Sequence, residues 1–183
     1  MLDLKTIKSL WGNSYVGWEV LNAVNTVGEI LLMWDKRVLE KTDLYIGEFF
    51  VFCQWKSLED GFVWIGTGVY GPNLDNSKTN FWNELVLIRN RWASPWCLFG
   101  DFNVVHYPRG RLGCTSISPA MVDFSDFIDF ANLIDLPLEG GLFTWCNGSN
   151  LLSMSRIDRF LVFADWEEHF TDVTKKLLPK AYL

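Results

Sequence analysis

Trp96-Cys97-Leu98-Phe99-Gly100-Asp101-Phe102-Asn103 joins an apolar run to a Gly-Asp turn near the middle of the chain. Four apolar residues in succession follow a break at Ser94-Pro95, and Gly100-Asp101 closes them. That pattern predicts a short buried strand over Trp96–Phe99. Just upstream, Phe81, Leu85, Ile88 and Trp92 recur at helical spacing, so Ser77–Trp92 reads as a helix with one face on a sheet. Further upstream, Tyr15–Leu21, Glu29–Trp34, Leu44–Trp55 and Val63–Tyr70 are strand-like runs rich in β-branched and aromatic residues. Asp60-Gly61 marks a hairpin turn between the last two, so these runs predict an antiparallel meander. Met1–Leu10 reads as the end of a helix.

Downstream, Ser118-Pro119 supplies an N-cap and a first-turn proline, and Met121, Phe124, Ile128 and Ala131 form the inner stripe of a second long helix. The last third is strand-like again over Phe143–Cys146, Ile157–Phe163 and Val173–Leu178, with a short helix at Asp165–Phe170. Strands alternating with two clear helices, without repeat or linker, predict one α/β domain over the 183 residues.

Composition narrows the function classes. Aromatics make up 16% of the chain, with 10 Trp and 14 Phe, and must be mostly core. The net charge of −6 disfavours a protein that coats nucleic acid non-specifically, though an enzyme acting on nucleic acid needs only a local basic rim. Cys53, Cys97, Cys114 and Cys146 have neither CxxC spacing nor a histidine pair, so they read as reduced thiols and not as zinc ligands. The first eleven residues lack the apolar core of a signal peptide, and Ile30–Trp34 is far too short to span a bilayer. The expectation is an intracellular protein, nuclear or cytoplasmic, with no membrane partner. Asn147-Gly148-Ser149 reads as a turn.

Three motifs could carry chemistry: Val69-Tyr70-Gly71-Pro72-Asn73, Leu98-Phe99-Gly100-Asp101-Phe102-Asn103 and Ser155-Arg156-Ile157-Asp158-Arg159-Phe160-Leu161. Each has a bland reading. Gly-Pro-Asn suits a turn, Asp101 and Asn103 could cap backbone amides, and Arg156 with Asp158 could be an exposed strand pair. Taken together they are specific, because all three sit at strand ends in a fixed order. Phosphodiester cleavage needs a base for water, charge stabilisation at the phosphoryl oxygens and help for the leaving oxygen.

In this set the chain resembles the endonuclease/exonuclease/phosphatase (DNase I-like) superfamily. It is most similar to the endonuclease domains of plant LINE-type non-LTR retrotransposons, through runs such as Ser9-Leu10-Trp11-Gly12, Leu32-Met33-Trp34-Asp35, Pro137-Leu138-Glu139-Gly140-Gly141 and Phe143-Thr144-Trp145. The resemblance implies a four-layer sandwich of two packed, mainly antiparallel β-sheets flanked by helices. It implies that Asp101 is the general base, Asn103 its partner that positions phosphate and water, and Tyr70 the hydroxyl beside the phosphate. Asp158 would orient a histidine, and Asn73 and Arg156 would contact substrate. Mg²⁺ is the implied cofactor and DNA the implied partner. A reverse transcriptase is expected downstream in a full-length element, and this chain shows no trace of one.

The departures shape the functional expectation. The family's N-terminal strands with their Asn and metal-holding Glu, and its C-terminal Ser-Asp-His strand, have no counterpart here, so the domain is expected to be incomplete and the metal ligands are unassigned. Glu19 sits in the wrong strand to replace that Glu. His106 and His169 are expected to be ordinary surface residues. Losing one positioned acid or base costs on the order of 10²–10⁴-fold in rate. The expected function is therefore a degenerate Mg²⁺-dependent phosphodiesterase, ancestrally a DNA-nicking endonuclease, inactive as this fragment and marginally stable. The alternatives are a catalytically dead module that binds nucleic acid or protein, with Arg109, Arg111, Arg156 and Arg159 as a basic rim near Asp101 or merely a solvated face, and a translated remnant without function.

Overall fold

A computed structural model describes residues 4–22, 28–147 and 153–178. Helix α1 (Leu4–Trp11) leads into an antiparallel pair, β1 (Val16–Leu21) and β2 (Ile30–Asp35). Next come β3 (Leu39–Ile46), β4 (Phe50–Ser57) and β5 (Val63–Tyr70), then helix α2 (Asp75–Arg89), β6 (Trp96–Asp101) and helix α3 (Pro119–Phe130). The remainder is β7 (Ile134–Asp135), β8 (Leu138–Glu139), β9 (Trp145–Cys146), β10 (Met154–Ser155), β11 (Asp158–Val162), helix α4 (Ala164–His169) and β12 (Lys175–Lys176). Gly148 and Ser149 of the expected Asn147-Gly148-Ser149 turn lie outside the described residues, as do Met1–Asp3 of the first expected helix.

A six-stranded sheet in the order β3-β4-β5-β6-β11-β7 forms the centre. All its pairs are antiparallel except β5 with β6, which the α2 crossover joins in parallel. Side chains alternate between the two faces of a strand, and the core divides accordingly. One face carries Phe50, Phe52, Ile65 and Leu98 against Phe81, Trp82 and Leu85 of α2 and Phe124, Phe127 and Ile128 of α3. The other carries Val51, Cys53 and Trp55 against Ile30, Leu32 and Trp34 of β2. The outcome is an α/β sandwich: a helix layer, the six-stranded sheet and the β1–β2 sheet, with short pairs β9–β10 and β8–β12 beside it. Gly68 permits the close stacking of the two sheets, since a Cβ there would lie 3.3 Å from Ile30.

Trp96 shows how the aromatic content is used. It is fully buried, and its indole N–H donates to Thr67 Oγ1 at 2.8 Å, so the ring contributes apolar area without an orphaned donor. Replacing it with alanine would cost about 3–5 kcal/mol. Ser118 caps α3 as expected, its hydroxyl accepting from the Met121 N–H at 3.3 Å. The run Leu44–Trp55, expected as one strand, is a hairpin instead: Gly47 N–H donates to the Phe50 carbonyl and turns β3 into β4. β3 starts earlier than its apolar pattern indicates because it is a sheet edge, where Glu40, Lys41 and Asp43 are tolerated and protect the edge from pairing. The four cysteines are unbridged. No helix among the described residues is long and apolar enough to cross a membrane.

Candidate active site

The three motifs converge on adjacent strands. In the parallel pair Tyr70 is the register partner of Asp101, and in the antiparallel pair Asp158 is the register partner of the same Asp101. Tyr70, Asp101 and Asp158 thus form a row across β5, β6 and β11. Alternation puts all three on one face: Tyr70 follows Trp64, Asp101 follows Phe99, and Asp158 precedes Phe160, each at an even spacing. Directly opposed antiparallel residues have Cβ atoms about 4.5–5.5 Å apart, so the two carboxyl groups share one small volume.

The turn after β6 is built to hold Asp101 still. Its Oδ1 accepts the Asn103 N–H at 2.7 Å, and its carbonyl accepts the Gly71 N–H at 2.7 Å. Asn103 adopts φ +48, a left-handed conformation that asparagine tolerates, and its Nδ2 donates to the Gly71 carbonyl at 2.8 Å. The amide-capping role that Asp101 could have had as a mere turn residue is therefore real, and it also ties the Gly71 and Asn103 loops together. Gly100 is required here: its φ is +132, and a Cβ would collide with the Val69 carbonyl. On β11, Thr144 Oγ1 accepts the Ile157 and Asp158 N–H groups at 3.1 and 3.0 Å and fixes where the strand begins.

Electrostatics matches the geometry. Burial raises the Asp101 carboxyl above its ordinary value, the Asn103 N–H opposes this, Asp158 raises it further and Lys78 lowers it. A carboxylate with a raised pKa is a better general base near neutral pH. Lys175 is held down to about 8, chiefly by burial, and its Nζ donates to the Asp158 carbonyl at 2.7 Å.

Lys78 escaped the sequence reading. It is 2% exposed, its Nζ donates to the Pro72 carbonyl at 2.8 Å, and it pairs with Asp75 at 3.2 Å. It pins the loop between Tyr70 and Asn73 and directs charge at Asp101. The available signal was its position on the buried stripe of α2 with Phe81, Trp82 and Leu85, where a lysine has no packing reason to be. Asn73 is exposed and lines a small cleft with Tyr70, Pro72 and Ser77.

Arg156 goes elsewhere: its Nη2 reaches Asp135 at 3.5 Å and the Leu136 carbonyl at 3.1 Å. Arg159 joins it on Asp135 at 2.5 Å, and together with Arg109 these residues line a separate pocket, not the surroundings of Asp101. The solvated-face reading of the arginines fails for Arg159, which is 5% exposed. His106, expected at the surface, is buried; it stacks on Tyr107 and faces Asp135. Its loop is folded over β11, because Arg156 N–H donates to the Gly110 carbonyl. His169 stacks on Phe62 and approaches Asp60 at 3.0 Å. Neither histidine joins the row. Glu19 is paired with Lys41.

The chain superposes on solved structures. The fold is DNase I-like. The endonuclease domain of TRAS1, a telomere-specific non-LTR retrotransposon, superposes with a TM-score of 0.66 over 90% of this chain and 80% of its own, at 12% identity. An endonuclease/exonuclease/phosphatase family protein from Bacteroides thetaiotaomicron gives 0.61 over 88% of this chain and 65% of its own, at 14% identity. The human Nocturnin catalytic domain gives 0.57 over 88% and 65%, at 12% identity. The chain therefore spans 65% to 80% of the length of these structures. No family model and no curated protein matches the sequence. In this fold the Tyr70–Asp101–Asp158 row lies at strand ends.

Proposed function

We propose that the chain is a Mg²⁺-dependent phosphodiesterase domain of the DNA-nicking kind carried by LINE-type retrotransposons, such as those of plants, and that these 183 residues alone hold a partial site that does not turn over. The observation that carries the reading is the alignment of Tyr70, Asp101 and Asp158 in one row. Asp101 would take the proton of the attacking water. Asn103, whose backbone is locked to Asp101, would position water and phosphate. The Tyr70 hydroxyl would support a phosphoryl oxygen, and Asn73 would meet the strand at the edge of the cleft.

The residues present fit a magnesium ion in a limited sense. Among the described residues no group of three or more His, Cys, Asp or Glu side chains could hold a metal. Magnesium, however, commonly keeps several waters and uses one or two protein carboxylates. Asp158, opposite Asp101 in register, is the carboxylate that would hold it, and it would offset the charge of the phosphoryl oxygens. Among the described residues neither histidine reaches the row to serve as an acid for the leaving oxygen: His106 faces Asp135 and His169 approaches Asp60. The test is nicking of supercoiled plasmid by folded protein with Mg²⁺, with EDTA, and with Asp101→Ala. No nicking in any arm is expected. Nicking that EDTA and Asp101→Ala both abolish would overturn the inactivity and keep the phosphodiesterase chemistry.

A further inference from the structure

Across the sheet from the row lies a cavity of about 600 Å³ that the proposed chemistry does not use. Arg159 is adjacent to Asp158 in β11 and therefore projects to the opposite face, toward Ile128 and Leu133 at the α3 end. Arg156, His106, Tyr107 and Arg109 share its walls. Two guanidinium groups here converge on a single carboxylate, Asp135, at 2.5 and 3.5 Å. Further contacts are made by Arg159 Nη2 to the Arg156 carbonyl at 3.1 Å and by Arg156 Nη2 to the Leu136 carbonyl. After these, the Nε–H of Arg156 and the Nε–H of Arg159 are both buried without an acceptor.

A pair of arginines that served only to clamp β7 to β11 would need one carboxylate each to be balanced. Here one carboxylate serves both, and burial lowers the pKa of Arg159 in spite of it. Buried cationic surplus and buried orphan donors are costly, so a site that keeps them usually has a use for them. Arg109 stands exposed at the mouth, its guanidinium over the Tyr107 ring at 5.3 Å, and Tyr107 is half-exposed and stacked on His106 at 3.9 Å. Guanidinium forks match phosphate oxygens in geometry as well as charge. Asp129 at the rim and Asp135 within oppose an anion, two carboxylates against the three arginines Arg109, Arg156 and Arg159.

We infer that this cavity is a phosphate-binding site, separate from the Tyr70–Asp101–Asp158 row, in which Arg159 and Arg156 form the floor and Arg109 closes the mouth. The inference does not depend on the row being active. The phosphate could be a free or terminal monoester or a diester in a nucleic-acid strand.

The test is an NMR titration of the whole chain, following the Arg156 and Arg159 Nε–H signals and the His106 ring. Three probes are used: inorganic phosphate, a short single-stranded oligonucleotide bearing a 5′-phosphate, and the same oligonucleotide without it. Saturable shifts at Arg159 and His106 are expected, and Arg109→Gln, which leaves the Asp135 network intact, should weaken them about tenfold, the worth of one charge-assisted contact. A response to inorganic phosphate and the 5′-phosphorylated strand alone supports a monoester site; an equal response to both oligonucleotides supports a strand diester. The inference is overturned by no shift with any probe, by shifts confined to the Gly71 and Asn103 amides, or by an affinity indifferent to Arg109→Gln.

Discussion

Asp158 stands directly opposite Asp101 in the antiparallel register of β11 and β6. The pair is the point where a strand from the C-terminal third meets the strand that ends in Gly100-Asp101. Two carboxyl groups so placed repel each other when both are ionised, and burial at Asp101 adds to the cost. The fold tolerates this because the Gly71 and Asn103 N–H groups donate to Asp101 and the Asp158 N–H donates to Thr144 Oγ1, which over-determines where both residues sit.

Asp101→Asn should therefore stabilise the protein at neutral pH. The folded-state pKa of Asp101 is raised, so the folded protein holds this proton more tightly than the unfolded chain does. Wild-type stability consequently falls as pH climbs from the ordinary 3.8 through the raised value, and the asparagine variant escapes that fall. A gain of about 1 kcal/mol or less is expected at pH 7, vanishing below pH 3.8. Urea unfolding at the two pH values measures it, and a variant less stable than wild type at pH 7 would refute it.

Asp135 behaves in the opposite sense. Burial favours its protonation, but His106, Arg159, Arg156 and Lys175 together hold its carboxyl below the ordinary 3.8. It contributes stability that is present above 3.8 and is lost as pH falls through its folded value. Asp135→Asn should cost about 3–5 kcal/mol at pH 7, because it leaves the buried Arg159 charge uncompensated. Denaturation midpoints across pH 2–7 would show the wild type approaching the variant at the acid end of that range.

Gly100→Ala should cost at least about 2 kcal/mol, since the new Cβ meets both an unfavourable φ of +132 and the Val69 carbonyl. The displaced Asp101 should lose its bond from the Asn103 N–H, visible as faster hydrogen exchange at that amide. A neutral substitution would mean the β5–β6 register is looser than described.

Thr144→Val removes the single acceptor for the Ile157 and Asp158 N–H groups while keeping the side-chain shape. A loss of about 1–3 kcal/mol is expected. Thr144→Ser should restore most of it, which separates the hydrogen bonds from packing. Equal losses in both variants would assign the effect to the methyl group.

The sequence was most legible where structure is locally encoded. The buried strand at Trp96, the capped helix at Ser118-Pro119 and the Asp60-Gly61 turn all follow from neighbours within a few residues, because side-chain periodicity and turn chemistry act at that range. The same local logic failed over Leu39–Asp43, whose polar pattern fits a strand only at a sheet edge. It also failed for the two-residue strands β7 and β8, too short to show a period.

By itself, then, the sequence determined that Tyr70, Asp101 and Asp158 each lie at the end or start of a strand. Only the tertiary structure decided that β5, β6 and β11 are neighbours, in a register that brings those residues into one row. It also sent Arg156 and His106 to Asp135, and turned Lys78 inward beneath the Pro72 carbonyl. The physical reason is that strand order and register come from apolar area buried between segments far apart in the chain, and a one-residue slip would turn each of these side chains to the other face.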